Sequence, residues 1–194
     1  MASERASGVF LSGFVGWVDR FNSRLGVAVS WLTLAMVVVG AYNAVVRYLG
    51  RFTGWNLSSN AYLELQWYMF SLVFLLGAAY ALQTNAHVRV DVVYSRLPER
   101  WRRHIDFWGS LLFLIPFAVF GLIMSWPAVR NSWAVLEVSS DPGGLPRYPI
   151  KSVLLVAFTL LALQGLAEAV RNWQRLRALK AGAEEEEMEQ EGLL

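Results

Sequence analysis

Between residues 65 and 86 the chain carries no formal charge for 22 consecutive positions, and five arginines crowd the connection that follows, Arg89, Arg96, Arg100, Arg102 and Arg103. A helix needs about 20 apolar residues to cross a hydrocarbon core of about 30 Å, so the run predicts a membrane span. Short connections rich in Lys and Arg stay on the cytoplasmic side, so the same stretch predicts the direction of the crossing.

The rest of the chain repeats the pattern. Uncharged runs over residues 25–46 and 107–129 and a fourth over 152–170, charge-free until Glu168, join the one over 62–86, whose only charge is Glu64 near its start. Hydrophobic residues make up 56% of the chain and charged residues 16%, against about 25% charged in an average soluble domain. The predicted fold is an all-α integral membrane protein with four transmembrane helices. Residues 1–24 form a separate segment in this reading: Phe10, Phe14, Trp17, Val18 and Phe21 recur at steps of three and four among polar residues, the pattern of an amphipathic helix lying on the membrane surface. The alternative is a plain extension of the first span. This N-terminus lacks the charged, apolar and small-residue order of a cleaved signal peptide and is read as retained. Residues 171–194 form a tail, basic at Arg171, Arg175, Arg177 and Lys180, then acidic over 184–191.

Loop charge sets the orientation. Arg5, Arg20, Arg24, the five loop arginines and the four basic tail residues fall on one side, twelve of the 17 lysines and arginines; Arg47, Arg51, Arg130, Arg147 and Lys151 fall on the other. Both termini are therefore expected in the cytoplasm. This charge split speaks for membrane orientation and not for nucleic acid.

Several chemistries lack their residues. With no cysteine there is no disulfide, thiolate nucleophile or thiolate-held metal. The two histidines, His87 and His104, lie outside the four predicted spans, so a haem between facing helices has no axial ligands. The spans hold no carboxylate pair for acid and base work, and no Gly-rich phosphate loop precedes a helix. The chain is read as neither an enzyme nor a cofactor or metal protein.

An ionisable group inside a span costs about 2.5–3.5 kcal/mol at its centre, so each one demands a reason. Glu64 and Arg47 stand near the same end of adjacent spans, and either pair or snorkel separately to water. Asn43, Gln66, Gln83 and Gln164 suit hydrogen bonds between helices, worth roughly 0.6–2 kcal/mol each. Glu168 stands one turn from Arg171 as a second pair. The run His87-Val88-Arg89-Val90-Asp91 is the most specific-looking motif; its plain reading is positive-inside anchoring, with Asp91 trimming arginine repulsion.

The run GAAYALQTNAHVRVDVVYSRL over residues 77–97, preceded by Glu64-Leu65-Gln66-Trp67, resembles the small membrane subunit (DctQ type) of tripartite ATP-independent periplasmic (TRAP) transporters. Residues 43–48 with Arg47, and the proline-bearing segment Gly144-Leu145-Pro146-Arg147-Tyr148-Pro149 before the last span, extend the similarity over roughly residues 25–170. The resemblance implies a scaffold beside a large membrane subunit (DctM type) that moves an organic acid by a sodium-coupled elevator motion. It also implies an extracytoplasmic substrate-binding protein, residence in a bacterial inner membrane, and no cofactor in this subunit. Arg147 or Arg51 would then be candidates to meet an acidic surface of the binding protein. The competing readings are a membrane-anchor subunit of a redox complex and a stand-alone small channel.

Overall fold

The structure is a computed structural model; it describes residues 2–54, 59–86 and 94–191, with side chains over 11–54, 59–86 and 94–182. The helices are α1 (Ala2–Thr53), α2 (Asn60–Gln83), α3 (Glu99–Gly109), α4 (Ile115–Ala134) and α5 (Tyr148–Glu191), and a π-helical turn, Ser110–Leu114, joins α3 to α4 without a break. Four helical stretches are long and apolar enough to cross a membrane, Leu11–Thr53, Asn60–Gln83, Glu99–Ala134 and Tyr148–Gly182.

α1 runs through Arg24 without interruption for 52 residues, about 78 Å at 1.5 Å per residue. The N-terminal segment is thus a continuation of the first span and not a separate surface helix. The physical reason is local: residues 8–26 contain no proline and no cap, so nothing ends the helix, and Val18 and Asn22 bury on the same stripe that Gly26 and Val29 continue.

The other helix ends are built from local chemistry. The Ser59 side chain caps α2 by accepting from the Ala61 N–H at 3.2 Å. The far end closes with Asn85 in the left-handed region (φ 52°), the Ala86 N–H reaching Ala81 O and the Asn85 N–H reaching Leu82 O, a Schellman arrangement. α4 ends the same way at Leu136 (φ 45°), where a residue other than glycine costs about 1–2 kcal/mol. The π-turn has a cause in the sequence. Pro116 has no N–H to give and its ring crowds the carbonyl four residues back; widening the preceding turn, with the Ile115 N–H reaching Ser110 O, makes room for it.

The spans stand in a row more than in a closed bundle. α1 packs on α2, α2 on α5 and α5 on α4, while α4 makes no more than a marginal contact with any span but α5. α3 leans on α5, and α1 meets α5 toward its N-terminal half. Small residues let these backbones approach, as expected where lipid supplies no hydrophobic drive between helices. A Cβ on Gly26 would lie 2.6–2.8 Å from the Tyr80 ring, one on Gly40 would run into the Gln66 amide, and one on Gly121 into the Phe158 ring.

Candidate functional site

Buried polar groups gather at two levels, one at each end of the spans. The first joins α2 to the connection between α4 and α5. Glu64, 3% exposed, projects from α2 and accepts hydrogen bonds from the Ser139 hydroxyl and the Leu145 N–H, and Arg147 Nη2 stands 3.9 Å from its carboxylate. The loop is shaped to deliver these groups. Val138 and Pro146 pair in an isolated antiparallel bridge, the Gly144 N–H closes on Asp141 O at 3.0 Å, and Gly143 takes the positive φ (72°) of the turn. Gly144 has to be bare, since a Cβ there would lie 2.7 Å from Glu64 Oε2. Two more ties fix the loop to α2: Tyr68 Oη donates to Pro146 O at 2.9 Å and Asn60 Nδ2 to Pro142 O at 3.1 Å. Lys151 bonds Glu137 from the start of α5 and, as the leading cause, holds the Glu137 carboxyl below its usual pKa.

The second level joins α1 to α5 and α2 around Gln164, which is fully buried. Its Oε1 accepts from Asn22 Nδ2 at 2.7 Å, and its Nε2 donates to Asp19 Oδ1 at 3.2 Å and Glu168 Oε1 at 3.4 Å. Arg171 binds both carboxylates at 2.5 Å, Asp19 through Nη2 and Glu168 through Nη1. From α2, Gln83 Nε2 reaches Asp19 O at 3.1 Å and Ser23 Oγ at 3.1 Å. A cavity of about 600 Å³ opens beside this cluster, lined by Asp19, Arg103, Asp106, Glu168, Arg171 and Arg175, three of each sign.

Several sequence expectations find their place here, and one pairing changes. Glu168 bonds Arg171 as expected, with Asp19 joining them; that third partner is 152 residues from Arg171 and gave no signal in the sequence. Gln164 and Gln83 do bridge helices. Glu64 does not pair with Arg47. Gln66 lies against α1 at Gly40, and Glu64, two residues back and about 200° around the helix, faces the α4–α5 loop instead. Its cation is Arg147, which the sequence reading sent to a docked protein. Arg47 is exposed on α1, beside Gln66 and Leu63. His87, Arg89 and Asp91 lie outside the described residues. Among the described residues no three His, Asp or Glu side chains converge as a metal set.

The geometry does structural work at both levels. The carboxylates of Glu64, Glu137, Asp19 and Glu168 are met by N–H, O–H or guanidinium groups of the same chain, and the apolar sides of the spans turn outward, with Phe74, Phe113, Phe117 and Phe120 among the most exposed. This is a four-span helical membrane protein whose buried polar groups hold its own helices in register. Residues 36–175 match the family described as tripartite ATP-independent periplasmic transporters, DctQ component. The chain belongs to that family, a family of transporter components and not of enzymes. No curated protein and no solved structure gave a match.

Proposed function

We propose that this chain is the stationary scaffold beside a large DctM-type subunit, in sodium-coupled uptake of an organic acid handed over by an extracytoplasmic binding protein. It works in a bacterial inner membrane with both termini in the cytoplasm. One observation carries the reading: only 6% of the most apolar stretch of the α3–α4 span is buried within the chain, against 33% for α5. A row of helices with broad apolar sides presents a wall to a partner and to lipid, and both clusters of buried charge are internal, leaving no chain of ionisable groups among the described residues along which an ion would pass. The sodium and substrate sites belong to the large subunit.

Purification from native membranes tests this. The chain should bring down a much larger polytopic membrane protein, and proteoliposomes holding both, with the binding protein outside, should take up the organic acid only along a sodium gradient. Flux through the chain alone, or a haem or quinone spectrum in the purified complex, would refute the scaffold reading. Orientation is tested separately with the exposed pair Ser95→Cys and Ser140→Cys. The first should be labelled only from the cytoplasm and the second only from outside.

A further inference from the structure

Near the Arg47 end of the spans, α1 and α2 line an open cavity of about 420 Å³ with Gly40, Asn43, Arg47, Arg51, Leu63 and Gln66, a volume suited to a small ligand. Gly40, Asn43, Arg47 and Arg51 recur at steps of three and four, so they form one stripe along about 16 Å of α1. Asn43 is 4% exposed, yet its Oδ1 has no hydrogen-bond partner. Arg47 and Arg51, one turn apart and of like charge, have no ion-pair partner among the described residues. Two adjacent guanidiniums without a counter-ion call for a group that brings several acceptor oxygens.

Depth narrows the choice. Arg24 and Arg47 bracket the uncharged part of α1, and 23 residues of helix span about 34 Å, close to the thickness of the hydrocarbon core. Arg47 and Arg51 therefore stand at the level of lipid headgroups. Exposed Tyr48 and Leu63 flank the cavity with apolar surface. A single carboxylate from a neighbouring protein has two oxygens at one point. A phospholipid headgroup has phosphate, ester and terminal polar atoms strung over the length that the stripe covers.

We propose that this cavity holds the phosphodiester headgroup of one membrane phospholipid. Arg47 and Arg51 donate to the non-bridging phosphate oxygens, the forked geometry that guanidinium offers phosphate. Asn43 Nδ2 and Gln66 Nε2 donate to the ester oxygens of the glycerol region.

The test is native mass spectrometry of the transporter complex, stripped of lipid and then titrated with dioleoylphosphatidylethanolamine, dioleoylglycerol or inorganic phosphate. The wild-type complex should bind one more phosphatidylethanolamine than the Arg47→Gln/Arg51→Gln variant, with occupancy of that site falling about tenfold or more in the variant. Dioleoylglycerol and inorganic phosphate should leave the site empty. The Arg47→Lys/Arg51→Lys variant, which keeps the charge and loses the fork, should fall between the two. Equal lipid counts in wild type and the Gln pair would overturn the proposal, as would equal filling by dioleoylglycerol. Filling by inorganic phosphate alone would make this a free-anion site, and a cross-link from Arg47 to an acidic residue of the large subunit with no lipid present would make it a protein contact; either outcome overturns the lipid assignment.

Discussion

The bond between Asn22 and Gln164 is the sharpest test of how the latch that joins α1 to α5 works. Asn22 is 1% exposed and Gln164 is fully buried, so neither amide turns to bulk water when its partner is removed. Gln164→Leu keeps the volume but strands Asn22 Nδ2; Asn22→Leu strands Gln164 Oε1. Each orphaned group costs about 1–3 kcal/mol. The neighbouring carboxylates lose little in either variant, because Arg171 still holds Asp19 and Glu168. In the double variant both orphans are gone and two leucines face each other, so the second substitution should recover part of the cost of the first. Interhelical bonds measured by double-mutant cycles inside membranes average about 0.6 kcal/mol and reach about 1.7 kcal/mol. The short distance and full burial here place the expected coupling near the upper part of that range, about 1 kcal/mol, or roughly fivefold in the unfolding equilibrium. Reversible unfolding of the four variants in mixed micelles, read by tryptophan fluorescence, measures it. A coupling below about 0.3 kcal/mol, within the additivity expected of independent sites, would refute the idea that this bond helps hold α1 to α5.

At the opposite latch, Glu64→Gln should loosen the loop over residues 135–147, and hydrogen exchange at the Leu145 amide, protected by the carboxylate, should speed up with little change in the midst of α5; unchanged protection would mean the bridge and turn hold the loop alone. Glu137 titrates below the ordinary carboxylate range, so its contribution is present above the unfolded pKa of about 4.3 and is lost as pH falls through the lower folded value. Fluorescence of Trp133, which donates to Ser152 Oγ at 2.7 Å and packs its ring 4.6 Å from Tyr148, should report that opening in strong acid, and Lys151→Met should move it toward higher pH. Gly121→Ala should destabilise by about 1–3 kcal/mol in the same micelle assay because its Cβ enters the Phe158 ring, whereas Gly109→Ala, with open space around it, should be neutral or gain from helix propensity.

The four spans were legible because a run of apolar residues is a local property, as was the need for interhelical bonds at Gln83 and Gln164. Partners were not legible where they come from far along the chain. Glu64 meets Leu145 across 81 positions and Asn22 meets Gln164 across 142, distances over which hydropathy and spacing say nothing. The candidate pairing of Glu64 with Arg47 rested on matching depth alone, and depth does not fix helical phase: with Gln66 turned toward α1, Glu64 faces away from it. The continuity of α1 was hidden by Arg24, which reads as the edge of a span although a single arginine neither caps nor breaks a helix. Pro116 stands in plain view within the third span, but the answer to it, one widened turn at Ser110–Leu114, depends on backbone geometry and not on residue type.

The two latches have a mechanical consequence when taken together. Both link the α1–α2 hairpin to the hairpin made by α4 and α5, one through Glu64 and the loop ending at Arg147, the other through Asp19, Asn22, Gln164 and Arg171. From Arg147 to Arg171 the chain rises 24 residues, about 36 Å along α5. One polar patch between two hairpins would be a pivot, about which they could swing with little resistance. Two patches a bilayer apart fix a direction, so a sideways push on α4 has a lever to work against at each membrane surface, and the hairpins shift together as one plate.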